Sequence, residues 1–336
     1  MIQKINFEIF NKLTDHLIVV MAPMNLSAEK LPHYQDSHFE ASSRILINPG
    51  TQNYYRDCVQ EVCDAISNAL LETGATTLVF CGSSMGAFGA LYFGSLFKET
   101  KYVVAYAPSI RLDHPGTISK QVIQLDYLID EDTKSTKLLN WIQNTKAVLH
   151  LFYPCFDDKD GIKISESKIL HKISSTNTYY LTCEHNIHEE IGLPEVVSEL
   201  INTGRIPREK FEPFFASSYE IEISLKTYYL YLCDFSDIAA IKDFSLMPIE
   251  ETKNWRYFYW KARTQARAGL YWESLSNFIA SIACNSNPNS EQLLCIANVL
   301  KEINLRDGAI GFYREALKLN PQNSNVSDEI ARLSEH

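Results

Sequence analysis

The sequence predicts an α/β fold, with a mostly parallel sheet covered by helices on both faces and an all-α region after it. Three observations predict this. Short apolar runs rich in β-branched and aromatic residues alternate with helix-length amphipathic stretches as far as Asn202. One strand–helix junction carries a glycine-flanked serine, Gly82-Ser83-Ser84-Met85-Gly86. From Pro213 onward the alternation stops and helical stretches replace it.

Each element has its own signal. Ile5–Phe10 and His16–Ala22 read as the first two strands, and Pro23-Met24-Asn25 breaks the second. Arg44–Ile47 is a short strand before the turn Asn48-Pro49-Gly50. Tyr54–Glu72 has helical spacing, with Val59, Val62, Cys63, Ile66, Ala69 and Leu70 on one face and Gly74 as the C-cap. Thr77–Cys81 is a strand and Met85–Phe97 a helix. Lys101–Ala107 follows as a strand, then an insertion, 108–145, placed to form a small cap. Ala147–Tyr153 is a buried strand, Ser165–Lys172 a helix and Thr178–Cys183 the last strand. A helix then runs through Asn202, and Gly204 and Pro207 mark its end. The expected domains are 1–210 and 211–336.

Composition narrows the function classes. The chain has 336 residues and a net charge of −10, which argues against nucleic acid or an anionic membrane as the main partner. Eight cysteines are scattered without C-x-x-C or metal-ligand spacing, so no metal is expected and free thiols in a reducing, cytoplasmic setting are. The N-terminus has no apolar run of signal-peptide length. Thr73–Phe97 lacks charged residues, but its four glycines and Ser-Ser pair divide it into strand and helix rather than a membrane span.

The glycine-flanked serine carries the chemistry. G-x-S-x-G between a strand and a helix puts the middle residue, Ser84, on a tight, strained turn with its hydroxyl exposed at a helix N-terminus. Glycine at 82 and 86 removes Cβ atoms that would collide there. The N–H of Met85 is then available to an oxyanion. A serine hydroxyl also needs a histidine base, and the histidine needs a carboxylate.

This stretch resembles the nucleophile elbow of the α/β-hydrolase superfamily. Gly82–Leu91, GSSMGAFGAL, is similar to small α/β-hydrolase-like proteins of bacterial capsule and glycan clusters, some of which are O-acetyltransferases. The resemblance spans about Ile5–Arg205. It implies the order Ser, acid, His along the chain. The acid is then Asp160, before Gly161, with Asp157 as the alternative. The base is His185, which begins His185-Asn186-Ile187, with His188 as the alternative. The second oxyanion N–H falls to Met24 or Asn25, although a glycine-rich version of that loop is absent. The remaining histidines, His150 among them, read as structural or exposed.

The C-terminal region resembles a tetratricopeptide array. Leu293, Ile296, Ala297, Leu300, Ala309, Tyr313, Ala316 and Pro321 occupy that repeat's apolar or small positions. Ala283 with Ala316, and Pro288 with Pro321, suggest a weaker copy 33 residues earlier. Trp255, Tyr259, Trp260, Tyr271 and Trp272 exceed what one hairpin core needs, so a protein partner or self-association is expected here.

The expected activity is serine-dependent acyl transfer to water, cleaving a carboxylic ester such as an O-acyl group on a glycan, with no cofactor. One alternative is an O-acetyltransferase with acetyl-CoA as donor and a polysaccharide hydroxyl as acceptor. The other is a non-catalytic interaction protein.

Overall fold

A computed structural model describes residues 5–24, 26–27, 29–32, 39, 41–50, 53–110, 138–155, 176–183, 187, 191–206, 208–218, 220–222, 225–226, 255–285 and 287–334. The expected cap falls largely on residues outside these, as does the expected helix Ser165–Lys172. Contacts divide the chain into two compact units, Met1–Ile221 and Glu222–His336.

The first unit is built on a seven-stranded sheet of order β1-β3-β2-β4-β5-β6-β7. The strands are β1 Asn6–Phe10, β2 His16–Met21, β3 Ser43–Asn48, β4 Thr77–Ser83, β5 Thr100–Tyr106, β6 Val148–Pro154 and β7 Thr176–Leu181. Only β1 is antiparallel to its neighbour; every other pairing is parallel. Parallel strands need crossovers, so helices cover both faces and the central strands are apolar throughout. Leu17 through Ala22 are accordingly inaccessible to solvent.

Alternate residues of β4 and β5 face different helices. Phe80 and Val103 lie under Gly94 of α2, Met85–Gly94. Val79, Cys81 and Val104 join the core that holds Val196, Val197 and Leu200 of α3, Leu193–Thr203. The element order, the mostly parallel sheet and the helical cover are those of the expected α/β class.

Several elements differ from expectation, β7 among them, which spans Thr176–Leu181 rather than Thr178–Cys183. The first helix, α1, spans Val59–Thr73 instead of starting at Tyr54, because Tyr54 and Tyr55 have φ of 56° and 61°. Its buried face is Val62, Ala65, Ile66, Ala69 and Thr73, and Gly74 caps it with φ 69°. The second helix, α2, stops at Gly94 rather than Phe97, and Leu96 is exposed. Chain beyond Pro213, where no strand is expected, returns to the sheet: Phe215 bridges Leu181 antiparallel, and the Ala216 N–H donates to the Tyr180 carbonyl at 2.7 Å.

In the second unit the described helices are α4 Trp255–Arg267, α5 Tyr271–Cys284, α6 Ser290–Glu302, α7 Arg306–Leu319 and α8 Ser324–Ser334. The α4–α5 and α6–α7 hairpins repeat with a period of 35 residues: Trp255 and Ser290 open the first helices, Leu270 and Leu305 precede the second ones. Gly269 (φ 75°) and Asn304 (φ 60°) take the same left-handed turn. Ser274 and Ala309, Phe278 and Tyr313, and Ser281 and Ala316 are buried in matching pairs. The 33-residue spacing expected from Ala283 is therefore two residues short. Ala283 is exposed, and Ser281 holds the position equivalent to Ala316.

Candidate active site

The β4–α2 junction shows why its residue types are required. Ser84 has φ 55° and ψ −118°, a conformation strained for a residue with a side chain. Its N–H donates to the Tyr106 carbonyl at 2.8 Å, which ties the turn to the end of β5. A Cβ on Gly82 would lie 2.4 Å from the Gly86 carbonyl carbon and oxygen. A Cβ on Gly86 would lie 2.3 Å from the Met21 carbonyl oxygen. Both are backbone contacts, so no rotamer change relieves them. The two glycines let β4 fold back onto α2 and let α2 abut the end of β2.

Ser84 is half-buried, at the C-terminal edge of the sheet. Its own carbonyl accepts from Ala87 and Phe88, at 3.0 and 3.2 Å. Met85 and Gly86 open α2, where N–H groups have no acceptor within the helix. The helix dipole adds positive potential at that end. This arrangement can hold a nucleophilic hydroxyl beside an anion-binding backbone N–H.

The residues around Ser84 are buried. Burial pushes the Cys81 thiol and the Tyr106 hydroxyl well above their ordinary values, and likewise Cys155 after β6. These groups remain neutral near pH 7, so the buried thiols are poor nucleophiles.

The other expected site residues divide by what is described. Met24 lies two residues after Ala22, just past β2, and is half-buried. Asn25, Asp157, Asp160, His185 and His188 lie outside the described residues. Their chain neighbours are described. Cys155 and Cys183 follow β6 and β7 at the edge where Ser84 follows β4. The Cys155 N–H donates to the Leu181 carbonyl at 2.9 Å. Ile187, between the two histidines, is fully buried in the α3 core.

Sequence reasoning did not single out Tyr55 or Gly89. Tyr55 is fully buried, and its hydroxyl donates to the Ala22 carbonyl at 2.7 Å. A Cβ on Gly89 would sit 2.7 Å from the Tyr55 ring. A second glycine three residues after the motif's last was the available signal. His150 is structural as expected: it stacks on Tyr179 and its Nδ1 lies 3.1 Å from that hydroxyl.

The second unit holds a cavity of about 310 Å³ between α4, α5 and α6. Arg263, Arg267, Tyr271 and Asn298 supply polar wall and Phe278 and Val299 apolar wall. Among the described residues no cluster of His, Cys, Asp or Glu could hold a metal ion, and no helix is long and apolar enough to cross a membrane.

No family model matches the chain, and no curated protein sequence does. Solved structures do. A capsule O-acetyltransferase of Neisseria meningitidis serogroup A is 16% identical over 60% of this chain and 93% of its own, with a TM-score of 0.46. A mutant of it in complex with CoA gives 16%, 60%, 93% and 0.45. The Pyrococcus furiosus esterase Pf2001 is 15% identical over 63% of this chain and 88% of its own, with a TM-score of 0.44.

Proposed function

We propose that this chain is a serine-dependent acyl-transfer enzyme that hydrolyses a carboxylic ester, such as an O-acyl group on a glycan. One observation carries the reading. Ser84 is held in a strained turn by two glycines packed against backbone, with the Met85 N–H beside it. A structural serine would gain nothing from that strain.

In this reading the Ser84 hydroxyl attacks the ester carbonyl and gives its proton to His185, or to His188. Asp160, or Asp157, orients the imidazole and stabilises its charged form. Met85 and the Met24 or Asn25 N–H stabilise the oxyanion. The alcohol leaves with the proton, and water activated by the same histidine releases the acid from acyl-Ser84. The catalytic unit is Met1–Ile221 instead of the expected 1–210, because Phe215 and Ala216 pair with β7, and Glu222–His336 is a tetratricopeptide-like unit that binds a protein partner or a second copy. Its 35-residue period is one longer than the usual repeat of about 34. None of the described cysteines is in a disulfide, which fits the cytoplasm.

The test is Ser84→Ala. Turnover of p-nitrophenyl acetate should fall by at least about a thousand-fold with the melting temperature kept. A fluorophosphonate should label wild type at Ser84. Label elsewhere, or normal turnover by the variant, would overturn the reading. Thiol release from acetyl-CoA that requires a glycan would make the enzyme a transferase instead.

A further inference from the structure

Tyr54 and Tyr55 both have left-handed backbone, with φ of 56° and 61°. Two bulky residues in succession are strained there, so the surrounding structure must hold them. What the strain achieves is visible at Tyr55. Its ring is fully buried, lies close enough to α2 that Gly89 has no room for a Cβ, and meets Phe93 edge-on at 5.6 Å. Its hydroxyl reaches past the helix to the Ala22 carbonyl at 2.7 Å. The first turn of α2 presses on that carbonyl too, because a Cβ on Gly86 would be 2.9 Å from it.

The Ala22 carbonyl belongs to the Ala22–Pro23 peptide. That unit is planar, and Pro23 has a fixed φ and no N–H. Only the ψ rotation of Pro23 then separates the plane that Tyr55 holds from the plane carrying the Met24 N–H. We propose that Tyr55 is a positioning residue for acyl transfer: its hydroxyl fixes the end of β2, and with it the Met24 N–H, against the nucleophile helix. The inference rests on the Ser84 reading and on Met24 as the second oxyanion donor.

The test compares Tyr55→Phe with wild type at a temperature where both are folded by circular dichroism. For p-nitrophenyl acetate, kcat should fall about ten-fold with KM within about two-fold, since a misplaced donor is felt in the transition state. Affinity for a trifluoromethyl ketone, whose serine adduct is an oxyanion, should fall by the same factor. The pH profile should not move. Gly89→Ala, which displaces the Tyr55 ring, should give a similar loss, and the double variant no more than either alone. Unchanged kcat and ketone affinity in folded Tyr55→Phe would overturn the inference while fluorophosphonate labelling of Ser84 upholds the reading beneath it. Losses that multiply in the double variant would also overturn it. Wild type without the Ser84 label would overturn both.

Discussion

The two units reach specificity by opposite routes. In the first, backbone meets backbone with no slack at Gly82 and Gly86, and the core around the junction is apolar. In the second, two hairpins share a frame but differ in core chemistry. The α4–α5 hairpin buries Ser274, Asn277 and Ser281 where α6–α7 carries Ala309, Phe312 and Ala316. These three side chains are hydrogen-bonded. Ser274 donates to the Ala262 carbonyl at 2.7 Å, and the Asn277 amide to Gln265 Oε1 at 2.8 Å. Ser281 donates to the Trp255 carbonyl at 3.0 Å and accepts from Gln292 at 3.1 Å. A hairpin frame therefore tolerates either a hydrogen-bonded or an apolar filling, whereas the turn at Ser84 has room only for glycine at 82 and 86.

The contrast can be broken most strongly at Gly86. Gly86→Ala should destabilise the first unit by about 4 kcal/mol, because both offending atoms belong to main chain. Urea denaturation followed by tyrosine fluorescence would show it, and a loss under about 1 kcal/mol would mean that the elbow has slack after all.

Acid should separate the units next. Burial lowers His150 from 6.5 to about 4. The unfolded chain takes up that proton first as pH falls, so the stability tied to neutral His150 is complete above pH 6.5 and lost on the way down to pH 4. The loss should reach about 3 kcal/mol. His16, lowered chiefly by burial, acts in the same direction. His150→Phe should flatten part of the slope, and the second unit, whose one histidine is His336, should show none of it. An equal pH slope in wild type and variant would remove His150 from the account.

The smallest effect is expected in the hairpins. Ser281→Ala should cost about 2 kcal/mol, since it strips partners from the Trp255 carbonyl and Gln292. A cost below about 0.5 kcal/mol would show that the polar filling adds nothing over the alanine at the equivalent Ala316.

What was legible in the sequence follows the same division. The elbow could be read because its constraint is local: glycine at two fixed offsets from a serine states the geometry directly. The strands could be read because a sheet covered on both faces needs unbroken apolar runs. Tyr55 could not. Nothing in a tyrosine's identity announces a left-handed backbone, and its partners Ala22 and Gly89 are distant in the chain. The 35-residue helical period is legible in the apolar hairpin and displaced in the polar one. Ser274 and Ser281 fill positions where alanine was sought, so the pattern slid to Ala283, two residues off.

The return of Phe214–Ala216 to β7 bears on the order of synthesis. The strand Thr176–Leu181 leaves the ribosome with one side unpaired, and the segment that pairs with its last residues comes only after α3 and the turn Arg208–Phe211. At ~5–20 residues per second the interval is roughly two to seven seconds. An open strand edge during that time can pair with another nascent chain. A protein shortened at Glu212 would leave the end of β7 at Tyr180–Thr182 without this partner, whereas one ending after Ile221 would keep it.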